Sequence, residues 1–117
     1  FFKDISNELK NSLVAKSNIF VMPSIIYRKS VEGFGIAYVE AAQYGLPSVG
    51  GKDGGAADAI EHKKNGLICD GNNLDEIYTS INSLLENNKY LEFGKKAKED
   101  SFKFYWSEII EKYKKIL

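Results

Sequence analysis

The segment with the clearest chemistry covers residues 32–40, where two glycines precede a predicted helix. Gly33 and Gly35 leave their backbone N–H groups unobstructed at the helix start, and the positive end of the helix dipole adds to them. This arrangement suits an anion such as a phosphate or a diphosphate. The sequence therefore predicts an anion site at the start of this helix.

A glutamate stands on each side of these glycines. Glu32 precedes the helix, and Glu40 lies within it among apolar neighbours, where a charge is costly unless it is paired. A helical rise of about 1.5 Å per residue separates the two by roughly 12 Å. A nucleotide sugar has a similar span between ribose and hexose, and carboxylates accept hydrogen bonds from sugar hydroxyls. Each glutamate is thus a candidate to bind one sugar ring.

Spacing alone leaves simpler interpretations of this segment open. A Gly-x-Gly before a helix occurs in many folds, and a dinucleotide-binding fingerprint would need a third glycine where Tyr38 stands. Glu40 is equally compatible with a surface or salt-bridged residue.

Alternating strands and helices are predicted to position the segment. The predicted order is a helix at 4–16, a buried strand at 19–22, a loop at 24–32, a mostly buried helix at 34–44 ending at Gly45, a strand at 48–49, a loop at 50–55, a helix at 56–64, a turn at Asn65-Gly66, a strand at 67–69, and helix from 74 onward with breaks near Asn87-Asn88 and Ser101.

This order predicts an α/β fold with a parallel sheet and helical crossovers. Ligands of such sheets bind in the crevice beyond the carboxyl ends of the strands. The loops at 24–33 and 50–55 both follow strands, so we expect them to lie at one edge of the sheet.

Composition limits the class of protein. The chain has 117 residues, enough for one domain, and 16 Lys+Arg against 16 Asp+Glu, which argues against a nucleic-acid partner. The apolar fraction of 44% is typical of a globular chain, and no apolar run approaches the roughly 20 residues of a membrane span. One cysteine and one histidine provide neither an internal disulfide nor a His/Cys zinc cluster. Since nothing calls for an oxidising compartment, we expect a cytoplasmic protein. Because the chain opens on Phe1 without an initiator Met, we expect it to be a piece of a longer one.

The ordered motifs resemble the donor half of glycosyltransferase family 4, whose members are retaining enzymes of the GT-B fold. The resemblance covers about residues 5–115 and rests on Met22-Pro23-Ser24, Glu32-Gly33-Phe34-Gly35-Ile36 to Glu40-Ala41, Gly45-Leu46-Pro47, Gly54-Gly55 and Asn65-Gly66-Leu67. Residues 31–36 are most similar to the mannosyltransferase-like branch, which includes phosphatidylinositol mannosyltransferases. The implied fold is a Rossmann-like parallel sheet flanked by helices, forming part of a C-terminal GT-B domain.

The resemblance also implies roles for individual residues. Glu32 matches the first Glu of a paired-Glu motif, which contacts the donor hexose and is the candidate catalytic residue. Glu40 matches the second Glu, which binds the nucleotide ribose. The implied diphosphate ligands are the backbone amides of Gly33, Phe34, Gly35 and Ile36. The family reaction retains anomeric configuration, and the leaving diphosphate helps to deprotonate the acceptor. The sequence has no Asp-x-Asp, so we expect neither a metal nor a cofactor.

The implied organisation is one nucleotide-sugar-binding domain over residues 1–117, in which residues 105–117 form a terminal helix that packs on a missing N-terminal domain. The same apolar and lysine-rich helix is also compatible with an interfacial membrane helix.

The implied partners are a nucleoside-diphosphate sugar and a glycan or lipid acceptor, at the inner face of the membrane. Alone, this chain is expected to lack transferase activity.

Four further features have less specific interpretations. Arg28, the only arginine, is either a solvated loop cation or a contact to a phosphate or headgroup. Gly54-Gly55 is either a loop near the donor pocket or a turn that leads into a helix. His62 is predicted to be a cation at a helix carboxyl terminus, and Cys69 a small core residue.

Two other functions compete with glycosyl transfer. One is a Rossmann-like binding module without turnover, and the other is a different GT-B chemistry such as sugar-nucleotide epimerisation. The spacing of Glu32 and Glu40 favours the transferase.

Overall fold

The computed structural model describes residues 6–23, 36–53 and 56–116, with side chains except those of residue 36 and residues 103–116. The described elements are α1 (Asn7–Ala15), β1 (Phe20–Met22), α2 (Ile36–Gln43), β2 (Ser48–Gly51), α3 (Ala56–Ala59), β3 (Gly66–Cys69), α4 (Leu74–Leu85), a 3-10 turn (Glu86–Asn88) and α5 (Lys89–Ile116).

The three strands form a parallel sheet in the order β1-β2-β3. Met22 pairs with Gly50, which pairs with Ile68, so the three strands run in register toward the same edge. Helices lie between successive strands, as crossovers between parallel strands require. The predicted fold class, a Rossmann-like parallel sheet flanked by helices, is confirmed.

Each face of the sheet has its own apolar cluster. On one face, Val49, Leu67 and Cys69 pack with Leu84 of α4, and partly buried side chains of α4 and α5 surround them. On the other face, Tyr38 of α2 packs with α3 and Ile60. The central strand β2 is buried along its whole length, as expected for a strand covered on both faces.

The carboxyl end of α2 matches the prediction closely. Gly45 has a φ of +79°, the left-handed conformation that glycine adopts without strain. Its N–H donates to the carbonyl of Ala42, and the N–H of Leu46 donates to the carbonyl of Ala41. This is a Schellman motif, and Pro47 follows it where the helix cannot continue.

Three predicted segments differ from the structure near the sheet. The strand predicted to be buried at 19–22 is β1, which lies at an edge of the described sheet, and Val21 is therefore 39% exposed. The loop predicted at 50–55 begins later, because Gly50 and Gly51 pair with β3. Space explains the glycine at position 50, since a Cβ there would lie 2.8 Å from the side chains of Ala56 and Ile60.

The helix predicted at 56–64 is also wrong, because α3 is a single turn. The buried Asn65 accepts the N–H of Glu61 at 2.8 Å through its side-chain oxygen and donates to Asp100 of α5 at 3.0 Å. A side chain that takes a backbone N–H in this way competes with helix propagation. Consequently His62 does not lie at a helix end as predicted: its Nδ1 accepts the N–H of Ile68 at 2.8 Å, beside the edge strand β3.

The carboxyl-terminal half is helical as predicted, with one of its two predicted breaks. Asn87 and Asn88 have φ values of 51° and 54°, which separates α4 from α5. The break predicted near Ser101 is absent. Ser101 is buried inside a continuous helix, and its hydroxyl donates to the carbonyl of Lys98 at 2.8 Å. Within the described residues, no helix combines the length and apolarity needed to cross a bilayer.

Candidate functional site

The carboxyl ends of all three strands lie at one edge of the sheet, which we call the carboxyl edge. The chain leaves β1 at Pro23, β2 at Lys52 and β3 at Asp70. The predicted common edge for the strand ends is confirmed. Residues 24–35 and 54–55, which hold most of the two predicted loops, lie outside the described residues.

Tyr38 fixes the first turn of α2 against this edge. Its hydroxyl donates to the carbonyl of Met22, the last residue of β1, at 2.5 Å. Its ring meets Phe20 edge-on with centroids 5.9 Å apart, and only 2% of the residue is exposed. The position where a dinucleotide fingerprint would have a third glycine is therefore occupied by a side chain that anchors the helix. The amino end of α2, with the positive end of its dipole, lies at the carboxyl edge.

Most of the predicted site residues precede this helix and lie outside the described residues: Glu32, Gly33, Phe34 and Gly35. Arg28 and Gly54-Gly55 also lie outside them. Ile36 is described as the first residue of α2, through its backbone alone.

Glu40 differs from its predicted environment. Its side chain is 52% exposed, and its Oε2 lies 3.5 Å from the ammonium of Lys10 in α1. Val39 and Ala41 on either side of it are buried, so position 40 lies on the outer face of the helix. The apolar neighbours are near in sequence but point elsewhere, because successive helical residues are rotated by about 100°. Glu40 is a paired surface carboxylate, one of the two interpretations that spacing had left open.

An ion pair that sequence reasoning missed lies at the carboxyl edge. The ammonium of Lys52 is 3.6 Å from Oδ2 of Asp70, and the backbone N–H of Lys52 donates to the carbonyl of Cys69 at 2.8 Å. Asp70 also accepts the N–H of Asn72 at 3.0 Å through Oδ1. Each residue follows a strand immediately, which is the signal that could have identified the pair.

A cavity of about 580 Å³ lies between α2, α3 and α5. Its lining includes Leu46 and Ser48, which lie where the chain enters β2, and the Asn65–Asp100 contact. These residues lie toward the amino ends of the strands, although Tyr38 also lines the cavity, and the described lining does not include Glu40. We place the candidate site at the carboxyl edge, because the geometry of parallel sheets favours ligands there.

The part of the chain that the structure describes has neither a cluster of metal ligands nor an exposed thiol. No three His, Cys, Asp or Glu side chains in that part are grouped to hold a metal ion. Cys69 is 5% exposed, as predicted for a core residue, and burial raises the pKa of its thiol.

Comparison with known proteins adds independent evidence. A family model described as glycosyl transferases group 1 matches residues 1–100. A GDP-mannose-dependent alpha-(1-6)-phosphatidylinositol monomannoside mannosyltransferase of Mycobacterium tuberculosis (strain CDC 1551 / Oshkosh) is 36% identical over 73 residues, which cover 61% of this chain. An uncharacterized glycosyltransferase of Haemophilus influenzae is 33% identical over 103 residues, which cover 86% of this chain. The matched regions span 19% and 28% of these two relatives.

Solved structures share the same architecture. The structure of HepE from Anabaena in complex with UDP-glucose matches with a TM-score of 0.66 and 28% identity, covering 76% of this chain and 24% of that one. A sucrose-phosphate synthase from Thermosynechococcus elongatus matches with a TM-score of 0.83 over 99% of this chain and 28% of that one. At 20% identity, the second match is one of fold alone.

Proposed function

The chain belongs to the group 1 glycosyl transferases, with a partial Rossmann-like domain of the GT-B type, and on that premise we propose that it binds the nucleotide-sugar donor of a retaining hexosyltransferase. In this proposal the carboxyl edge binds a nucleoside-diphosphate sugar, and a hexose passes from it to a glycan or lipid acceptor. The mycobacterial relative is named as GDP-mannose-dependent and the HepE structure contains UDP-glucose, which supports this donor class.

The observation that carries the proposal is the hydrogen bond between Tyr38 and Met22. It brings the amino end of α2, which begins at Ile36, to the edge where parallel sheets bind ligands. Backbone N–H groups at a helix start attract a diphosphate both by hydrogen bonding and through the helix dipole. No cofactor or metal is needed for this binding.

The proposed roles of the residues are those that the family resemblance implies. The backbone amides that bind the diphosphate are those of Gly33, Phe34, Gly35 and Ile36. Glu32 contacts the hexose beside the reacting centre, and Glu40 binds the ribose, for which it would exchange its contact with Lys10. The leaving diphosphate takes part in deprotonating the acceptor, and amides and cations stabilise the charge that develops on it.

The proposed domain organisation places residues 1–117 in one nucleotide-sugar-binding domain. Residues 105–117, of which 105–116 belong to α5, would pack on a separate acceptor-binding domain. The expected setting is cytoplasmic, with the acceptor at the inner face of the membrane.

Binding is tested directly by NMR titration with UDP and GDP. We expect the amide signals of Gly33, Gly35 and Ile36 to shift, while amides of the loop around Lys64 stay unchanged. Absence of any shift at millimolar nucleoside diphosphate would contradict a donor site at this edge.

Transfer is tested with Glu32→Gln and Glu40→Gln in the intact enzyme. Each change keeps the shape of the side chain and removes its charge, so sugar transfer should fall strongly in both. Glu61→Gln is the control, since Glu61 is also exposed and paired with a lysine but lies in the turn before β3. Unchanged transfer in both test variants would disprove their roles. Products of an epimerised donor, or nucleotide binding without any product, would favour the two competing functions.

A further inference from the structure

Lys52 is held at the carboxyl edge by both its main chain and its side chain. Its backbone N–H donates to the carbonyl of Cys69 at 2.8 Å, which extends the β2–β3 ladder one residue past Gly51. Its ammonium lies 3.6 Å from Asp70, the residue that leaves the neighbouring strand. The pair therefore bridges the ends of two strands.

The alternation of side chains places this pair on the face that α2 and α3 cover. Gly50, two residues before Lys52, faces Ala56 and Ile60, and Ile68, two residues before Asp70, packs against the same cluster. Residues two apart in an extended strand share a face. Because Tyr38 holds the first turn of α2 on this face too, Lys52 and the amino end of α2 share both a face and an edge of the sheet.

Lys52 provides the positive charge among the described residues at the carboxyl edge, and it is more exposed than its partner Asp70. Lys52 is the one cation among the residues described just beyond the strands, at positions 23, 52–53 and 70–73. Its side chain is 60% exposed, whereas Asp70 is 29% exposed and is oriented by the N–H of Asn72. An exposed ion pair of this kind adds little to stability. An anionic ligand can therefore replace the carboxylate as partner of the ammonium.

We propose, as a step that rests on the proposed function, that Lys52 is a donor-binding residue whose ammonium moves from Asp70 to the diphosphate of the bound nucleotide sugar. Lysine is a compact point charge suited to phosphate oxygens. The diphosphate gains charge as it leaves, so a cation beside it stabilises the transition state more than the bound donor. In the free protein, Asp70 keeps the ammonium at the edge.

The test measures binding to the intact protein by calorimetry, with UDP, GDP and the nucleosides uridine and guanosine as probes. Lys52→Gln should weaken binding of the diphosphate that binds by about tenfold, the loss of one charge-assisted hydrogen bond in a partly exposed site, and leave nucleoside binding unchanged. Lys64→Gln is the matched control, because Lys64 is 63% exposed and paired with Glu61 at 2.7 Å but lies in the turn before β3. It should change neither affinity.

Asp70→Asn tests the other partner, because it removes the carboxylate that competes with the diphosphate for the ammonium of Lys52. The amide still accepts the N–H of Asn72 but no longer holds the ammonium by charge, so diphosphate affinity should rise a few-fold. A decrease would contradict the proposed exchange of partners.

The remaining outcomes separate the two proposals. If Lys52→Gln binds the diphosphate as tightly as the unchanged protein, while Ile36 still shifts on titration, the role of Lys52 is refuted and the donor site stands. Equal losses for diphosphate and nucleoside would show a general disturbance and also refute it. If the unchanged protein binds neither diphosphate, both proposals fail.

Discussion

At the scale of single residues, the hydroxyl of Tyr38 connects the core to the proposed site. It is buried, yet it donates to a backbone carbonyl at the end of an edge strand, where no fourth described strand competes for that carbonyl. A buried polar group of this kind stabilises the fold only when it is bonded. The same bond sets the position of α2 relative to the carboxyl edge.

Tyr38→Phe therefore has two expected effects. Loss of the bond leaves the carbonyl of Met22 without this donor and should lower the free energy of unfolding by about 1 kcal/mol, measured by urea denaturation. It should also weaken binding of UDP or GDP, because the first turn of α2 loses its anchor. Tyr78→Phe is the control, as Tyr78 is 68% exposed on α4. Equal behaviour of the two variants would contradict the anchoring role.

We expect the buried thiol of Cys69 to make the stability of the fold depend on pH. Burial raises the pKa of its thiol in the folded protein, so the unfolded chain releases the proton first as pH rises. The contribution of this group is complete below the ordinary thiol pKa of about 8.5 and is lost above it. Thermal unfolding should show a steeper loss of stability above this pH for the natural chain than for Cys69→Ala. Identical pH profiles would argue against a buried, protonated thiol.

At the scale of elements, close contacts between backbones decide how the helices pack. Gly94 of α5 lies against the carbonyl of Gly45, where a Cβ at position 94 would come within 2.0 Å of the oxygen. At Gly45 itself a Cβ would meet nothing within 4 Å, but the φ of +79° strains any other residue. The two glycines at one contact are thus required for different reasons, one for space and one for backbone conformation.

Gly45→Ala and Gly94→Ala separate these reasons. The first should cost about 1–2 kcal/mol, the strain of an alanine in the left-handed region. The second should cost more, although glycine-to-alanine changes normally stabilise a helix interior by about 1 kcal/mol, because α5 must move away from α2. Urea denaturation of both variants measures the difference. A stabilised Gly94→Ala variant would show that the two helices are not in this contact.

At the scale of the whole molecule, two apolar clusters on opposite faces of one small sheet hold the described elements together. Leu84 is 1% exposed and joins α4 to β2 and β3, whereas its neighbour Leu85 is 49% exposed. Small parallel sheets depend on such coverage of both faces. The carboxyl edge is positioned as a unit because its three strands share these clusters.

Leu84→Ala should therefore destabilise the molecule by about 2–5 kcal/mol, with loss of contacts and a residual cavity. Leu85→Ala, the same chemical change one residue later, should stay within about 0.5 kcal/mol, as is usual for exposed positions away from special contacts. Calorimetric unfolding temperatures of the two variants provide the comparison. Similar losses in both would mean that the face of α4 toward the sheet is assigned incorrectly.

The sequence by itself determined the order of strands and helices, the parallel sheet and the edge that holds the candidate site. These features depend on local signals, such as the apolar runs of the strands and Gly45 before Pro47, which act through nearby residues. Local signals also predicted the break at Asn87-Asn88. They failed at Asn65, whose side chain ends α3 early while it is held by Asp100, a partner far along the chain.

Tertiary structure alone decided which charges far apart in the sequence meet. Glu40 was predicted among apolar neighbours, but the direction of its side chain depends on how α2 lies on the sheet, and its partner Lys10 is 30 residues away. Lys52 and Asp70 become neighbours only when β2 and β3 pair in parallel register. Coulombic contacts depend on distance in space, and periodicity along the chain carries no record of that distance.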